Sequence, residues 1–168
     1  TWTPGNGNGS FSGDSLPLRS AFARSINSVA VRLGQEMGIK RIISTAEAMG
    51  IKSPLDDEPS LALGSSDVNL LELTNAYCTV ANNGMHHDPV LVTKIVDSKG
   101  NVVYEDNAKA EQVIPYKSAF LMQQMLMAGT HDPGGTSNSL MAGEYAGNFR
   151  DTDFGGKTGT SNNHSDAW

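Results

Sequence analysis

The chain has 168 residues, 38% of them apolar, and a formal net charge of −6. That length supports one domain with a core of its own. Its 12 Lys and Arg are scattered along the chain, which argues against the concentrated basic surface that nucleic acid demands. No apolar run approaches the ~20 residues that span a bilayer, and no signal peptide opens the chain. The single cysteine, Cys78, rules out an internal disulfide. Set among Ala76, Tyr77 and Val80, it reads as a buried, inert thiol. The opening "TWTPGNGNGSFSGD" and the closing "HSDAW" both read as mid-protein text, so the expectation is a segment of a longer protein.

Residues 1–14 are rich in Gly, Asn, Ser and Pro and read as a loop. Ser15 followed by Pro17 is a helix start, with a capping hydroxyl and a proline in the first turn, and a short helix runs from Pro17 to about Arg24. "NSVAVRLGQEM" is a second helix with Val29, Ala30, Leu33 and Met37 on one stripe. "KRIISTAEAMG" is a third, stopped by Gly50 in a left-handed conformation. The stretch "SPLDDEPSLALGSS" is irregular, and Asp56 to Glu58 within it read as a solvated charge run. Asn69 caps a fourth helix, with Glu72 as its capping-box partner and Leu70, Leu73, Ala76, Tyr77 and Val80 on the apolar side. Asn83-Gly84 ends it. "PVLVTKIVDSKGNVVYED" alternates, turns at Ser98-Lys99-Gly100-Asn101 and returns, the pattern of a hairpin. Pro115 opens a fifth helix, "YKSAFLMQQMLMAG", whose Met and Leu stripe reads as core. The long small-residue loop that follows, "GTHDPGGTSNSLMAGEYAGNFRDTD", is of the kind that is often functional. Helices early and strand signals late make the class α+β.

The loop leads into "FGGKTGTSNN", Phe154 to Asn163. One reading is a phosphate-gripping loop. The pattern G-x-x-x-x-G-K-[ST] would then need glycine at 151, where the chain has Asp151, and a helix after it; "GTSNNHSDAW" is a poor helix and an aspartate repels phosphate. The other reading is a strand that holds a carboxylate. Lys157 supplies a positive charge, Thr158 and Thr160 supply hydroxyl donors, and Gly159 lets a ligand approach the backbone. K-T-G is one of three signatures of penicillin-binding proteins and serine β-lactamases.

A second feature supports the carboxylate reading. "FARSINSVAVRLG" puts Ser25 and Asn27 at a junction between two helices, where one can pass a proton and the other can hold an amide. Three blocks in order, "LRSAFARSINSVAVRLGQEMGI", "LALGSSDVNLLELTNAYCTVANNG" and "GGKTGTSNNHSDAW", resemble the class A, bifunctional penicillin-binding proteins. The resemblance implies the penicillin-binding-protein/serine β-lactamase-like transpeptidase fold, a helical lobe plus strands of an antiparallel sheet. It implies a peptidoglycan D,D-transpeptidase that crosslinks stem peptides ending in D-Ala-D-Ala through a serine acyl-enzyme and that binds β-lactam antibiotics. The parent protein would be anchored on the outer face of the bacterial cytoplasmic membrane. No cofactor, metal or nucleic acid is implied.

Carried over by motif, Ser25 would relay protons and Asn27 would bond the substrate's backbone carbonyl. Lys157 would set the positive potential and help activate Ser25. The hydroxyls of Thr158 and Thr160 would bind the terminal carboxylate, and the backbone N–H of Thr160 would be one oxyanion donor. Gly159 would leave that edge open to substrate. The chain departs from the family in one large respect: no serine here is followed by lysine three residues on, so the nucleophile motif S-x-x-K is absent. Residues 1–168 therefore read as a later portion of the transpeptidase domain that cannot be acylated alone. Two alternatives stand beside this reading. One is a D,D-carboxypeptidase or serine β-lactamase, although β-lactamases usually carry S-D-N. The other is a non-catalytic scaffold or binding module. His86 with His87, His131 with Asp132, and His164 with Asp166 read as solvated loop polarity. Trp2 and Trp168 receive no role.

Overall fold

The computed structural model describes residues 3–7, 9–142, 147 and 152–159. Among the described residues, five α-helices have bounds that can be given, in order: α1 (Leu18–Ala23), α2 (Asn27–Met37), α3 (Ile39–Ala48), α4 (Leu70–Ala81) and α5 (Tyr116–His131). Four short strands lie between α4 and α5: β1 (Met85–His86), β2 (Lys94–Val96), β3 (Val102–Glu105) and β4 (Glu111–Gln112). Two antiparallel pairs form, β2 with β3 and β1 with β4. Helices with small antiparallel sheets make the class α+β, as the sequence implies.

The centre is the packing of α1 on α5. Apart from Leu126, the buried residues of the two helices are small: Ala21 and Ala23 on α1, Ala119, Ala128, Gly129 and Thr130 on α5. Small side chains let two helix backbones approach closely, where dispersion contacts accumulate. Arg19 locks the pair from outside. Its guanidinium meets Asp132 through Nε at 2.6 Å and Nη2 at 2.7 Å, and Nη1 donates to the Gln124 carbonyl at 3.0 Å. Such a two-pronged ion pair is geometrically specific. Asp132 is thus a structural partner, where the sequence suggested only loop polarity. The Arg19 hydrogen bond holds its carboxyl below the usual aspartate value.

Local chemistry differs from expectation at several points. Pro17, not Ser15, occupies the N-cap of α1, and no side chain caps it. On α2 the buried residues are Val31 and Gly34, while Met37 is 54% exposed. The reason is the neighbour: a Cβ at Gly34 would meet Ala62, Ile39 and Ile42, so the helix rests on the 3₁₀ turn Pro59–Leu63 and on α3. On α4, Ala76 and Thr79 face inward, whereas Leu70, Tyr77 and Cys78 face out. Cys78 is therefore exposed, not buried. In α5, Leu126 is buried and Met122, Met125 and Met127 are half-buried, so that stripe is only partly core.

The cap of α4 is relayed rather than reciprocal. Asn69 Oδ1 accepts from the Leu71 amide. Glu72 turns away from Asn69 and accepts from the amides of Lys52 and Ser53 and from the Ser53 hydroxyl. Ser53 Oγ in turn accepts from the Asn69 amide at 3.2 Å. Glu72 thereby ties the 51–53 segment to α4, and the Ser53 hydroxyl draws its carboxyl below the ordinary glutamate value.

Gly50 takes φ 97°, as a left-handed stop requires. Asn83 (φ 57°) and Gly84 (φ 86°) end α4. A Cβ at Gly84 would collide with the Ile114 carbonyl. That closeness allows Val113 and Ile114 to hydrogen-bond to the Gly84 carbonyl and brings β4 to β1. His86 is a strand residue with its Nδ1 3.0 Å from the buried Thr79 hydroxyl, not a solvated loop histidine. The β2–β3 hairpin forms where alternation placed it, turning through Asp97 and Asn101. Every residue of its strands is exposed.

Candidate functional site

The junction between α1 and α2 is the first half of the site. The Ser25 amide donates to the Phe22 carbonyl at 2.9 Å and the Ile26 amide to the Ala21 carbonyl at 3.0 Å. These two bonds are a Schellman ending, which places the residue after the C-cap in the left-handed region, usually glycine. Here that residue is Ser25, at φ 55°. An L-residue with a Cβ is held there against its own preference, a recurrent mark of functional sites. Asn27 begins α2, and its Nδ2 donates to the Gly5 carbonyl at 2.8 Å. Asn6 Oδ1 accepts from the Ser28 amide at 3.1 Å. The 5–6 segment thus fixes the Asn27 amide, whose NH₂ group has two N–H donors.

The second half comes from residues 153–159. They take no strand pairing among the described residues, which corrects the expected strand. They lie against the C-terminal half of α5. The Gly156 amide donates to the Leu126 carbonyl at 3.3 Å, and the fully buried Thr130 hydroxyl donates to the Phe154 carbonyl at 2.6 Å. Glycines on both partners make this possible. A Cβ at Gly155 would sit 3.0 Å from the Met127 nitrogen, and one at Gly129 would sit 3.1 Å from the Gly156 oxygen.

This seat brings the halves together. Lys157 Nζ donates to Ser25 Oγ at 2.8 Å, across 132 residues of sequence, and to the Thr158 carbonyl at 2.9 Å. Both partners are neutral oxygens. Partial burial pushes the Lys157 ammonium below the ordinary lysine value of 10.5, because a charge leaves water without a counter-charge to replace it. Ser25 Oγ accepts from Lys157, so its own proton is free to be given elsewhere. Thr158 Oγ1 donates to Thr136 Oγ1 at 2.8 Å, and Gly159 is exposed beside it. The arrangement is an open surface with one ammonium, two helix-junction donors and a hydroxyl pair, suited to an anionic, amide-bearing ligand.

Thr160, His164, Asp166, Trp2 and Trp168 lie outside the described residues. Among the described residues, no group of three or more His, Cys, Asp and Glu could hold a metal ion. A concavity of about 500 Å³ lies elsewhere, beside Val90, Leu91, Ile95 and Tyr104 of the hairpin region. Among the contributors not named from the sequence are Gly5, Thr130 and Thr136. Each acts through a contact to a distant segment, and nothing in its immediate neighbours marks it.

The family described as the penicillin-binding protein transpeptidase domain matches residues 2–166. The chain is similar to penicillin-binding protein 2D of Bacillus subtilis, 33% identical over 168 residues, which are 100% of this chain and 24% of that protein. It is likewise similar to penicillin-binding protein 1B of Haemophilus influenzae, 34% identical over 172 residues, 99% of this chain and 20% of that protein. The chain thus spans less than a quarter of the length of these relatives. The crystal structure of penicillin-binding protein 1A from Haemophilus influenzae superposes with a TM-score of 0.83 at 26% identity, covering 99% of this chain and 29% of that one. The D,D-transpeptidase domain of a peptidoglycan glycosyltransferase from Eggerthella lenta shares the fold, with a TM-score of 0.72 at 22% identity, over 96% of this chain and 45% of that one.

Proposed function

Since the chain belongs to the transpeptidase domain of the class A penicillin-binding proteins, we propose that it carries the S-x-N and K-T-G-T half of a peptidoglycan D,D-transpeptidase site. The nucleophile motif S-x-x-K belongs on this reading to an upstream part of a longer protein. The observation that carries the proposal is the 2.8 Å bond from Lys157 Nζ to Ser25 Oγ, which joins the two motifs on one surface.

The chemistry follows from that bond. The upstream serine oxygen attacks the carbonyl of a D-Ala-D-Ala amide, and the C–N bond breaks as the terminal D-alanine leaves. Its nitrogen needs a proton. Ser25 is placed to supply one, since the hydrogen bond from Lys157 turns the Ser25 O–H outward and favours its donation. The proton released by the nucleophile replenishes the relay, so the step balances. The Lys157 charge lowers the energy of the developing oxyanion through a partly dry path. Asn27, steadied by Gly5, offers its remaining N–H to the stem-peptide carbonyl. Thr158 and Thr160 receive the terminal carboxylate, with Gly159 leaving room for the peptide. An amine from a neighbouring stem then takes the acyl group and frees the serine. β-Lactams, which carry a carboxylate beside a reactive amide, enter the same groove. The parent would work on the outer face of the cytoplasmic membrane. Among the described residues, no helix is long and apolar enough to cross a membrane.

The test is mass spectrometry after incubation with benzylpenicillin. The full-length protein is expected to gain one adduct, on a serine outside residues 1–168, and the isolated chain none. An adduct on a serine within this chain, or none on the full-length protein, overturns the proposal.

A further inference from the structure

Building on that reading, we infer that Thr136 is a positioning residue that aims the Thr158 hydroxyl at the substrate carboxylate. Thr158 Oγ1 and Thr136 Oγ1 are 2.8 Å apart, so one hydroxyl donates to the other. A hydroxyl has one proton and two lone pairs. While Thr158 spends its proton on Thr136, it has none for an anion. Both side chains are exposed, so both rotors are free to turn. A carboxylate arriving at Thr158 reverses the pair: Thr136 donates to Thr158, and Thr158 donates to the anion. A chain of two O–H groups ending on a charge is stronger than an isolated hydroxyl, because each bond polarises the next.

The backbone holds Thr136 for this task. Its amide donates to the Ala23 carbonyl at 3.0 Å, at the last residue of α1. On either side, the Gly135 amide donates to the Asp132 carbonyl and the Ser137 amide to the Gly129 carbonyl, each at 3.0 Å. A Cβ at residue 135 would strike the Gly129 carbonyl, so glycine there seats the loop tightly on α5. Asn138 Nδ2 donates to the Thr130 carbonyl at 3.0 Å. Thr136 therefore links the carboxylate side of the groove, through a single residue, to the helix that precedes Ser25. The long loop after α5 serves the site through this hydroxyl.

The experiment uses the full-length protein and two probes, benzylpenicillin and its methyl ester, which lacks the carboxylate. Acylation rates are measured for the unsubstituted protein, Thr136→Val, Thr136→Ser and Thr158→Val. Valine keeps the shape and removes the hydroxyl. The expected result is a roughly tenfold loss toward the acid in Thr136→Val, the scale of one charge-assisted hydrogen bond. The ester rate stays unchanged and Thr136→Ser restores the acid rate. Adding Thr136→Val to Thr158→Val costs nothing more. Equal losses toward acid and ester would assign Thr136 a purely structural part and overturn the inference, as would no loss toward either. If the unsubstituted protein shows no preference for the acid, the carboxylate role of Thr158 fails first. If it forms no adduct with either probe, the transpeptidase reading itself fails.

Discussion

Ser25 offers a direct test of how the helix junction is built. At φ 55° it occupies the glycine position of a Schellman ending. The left-handed region costs a residue with a Cβ about 1–2 kcal/mol. Glycine escapes that cost but loses more freedom on folding, about 0.5–1 kcal/mol. Ser25→Gly and Ser25→Ala both remove the oxygen that accepts from Lys157, so the loss of that bond cancels between them. What remains is the backbone difference, about 0.75 kcal/mol in favour of glycine at the middle of both ranges. For a chain of this size each kcal/mol moves the melting temperature by about 2–4 °C. Ser25→Gly is therefore expected to melt about 1–4 °C above Ser25→Ala in differential scanning calorimetry, although in the full-length protein both lose the relay and acylate slowly. An alanine variant as stable as the glycine variant, or more so, would refute the claim that this serine is held in a strained conformation.

Other consequences follow from the same structure. Gly155→Ala places a methyl 3.0 Å from the Met127 nitrogen; it should lift the 154–158 segment from α5 and slow β-lactam acylation at least tenfold while the far-ultraviolet circular dichroism stays unchanged. Asp132 and Glu72 have carboxyls held below their ordinary values by Arg19 and Ser53. Their stabilisation is present above the unfolded carboxylate pKa and is lost as pH falls through the depressed folded values. Glu72→Gln should lower the melting temperature at neutral pH and flatten its decline in acid; an unchanged acid decline contradicts the assignment. Lys157 titrates below 10.5 because of burial, so the alkaline limb of the acylation rate should fall below the ordinary lysine range. Lys157→Arg should carry that limb to higher pH, even where its maximal rate is reduced.

The elements that were legible in the sequence are those whose causes are local. Pro115 and the run after it define α5, and Asn83-Gly84 stops α4, because φ preferences and helical spacing act within a few residues. The two motifs that meet at the site were legible as text. Their contact was not, since 132 residues separate Lys157 from Ser25. The β1–β4 pair has two residues on each side and rests on the close passage of Gly84 by Ile114, a tertiary fact with no sequence period. Burial patterns failed where the partner decided the face. Gly34 is inward because the 3₁₀ turn lies against it, and Cys78 is outward because α4 offers Ala76 and Thr79 to the interior. The Ser25 conformation was hidden because serine gives no signal of a positive φ. Thr136 was hidden because its role depends on a hydroxyl 22 positions away.

The most direct measurement is a double-mutant cycle between Ser25 and Lys157, read as the rate of benzylpenicillin acylation of the full-length protein. Ser25→Ala and Lys157→Met each remove one end of the contact, and the double variant removes both. If the ammonium acts through the serine oxygen, the two losses overlap by about 1 kcal/mol or more, the scale of a charge-assisted bond in a partly exposed site. Losses that add to within about 0.5 kcal/mol would mean that the two motifs work independently, and the contact would then have no part in the reaction.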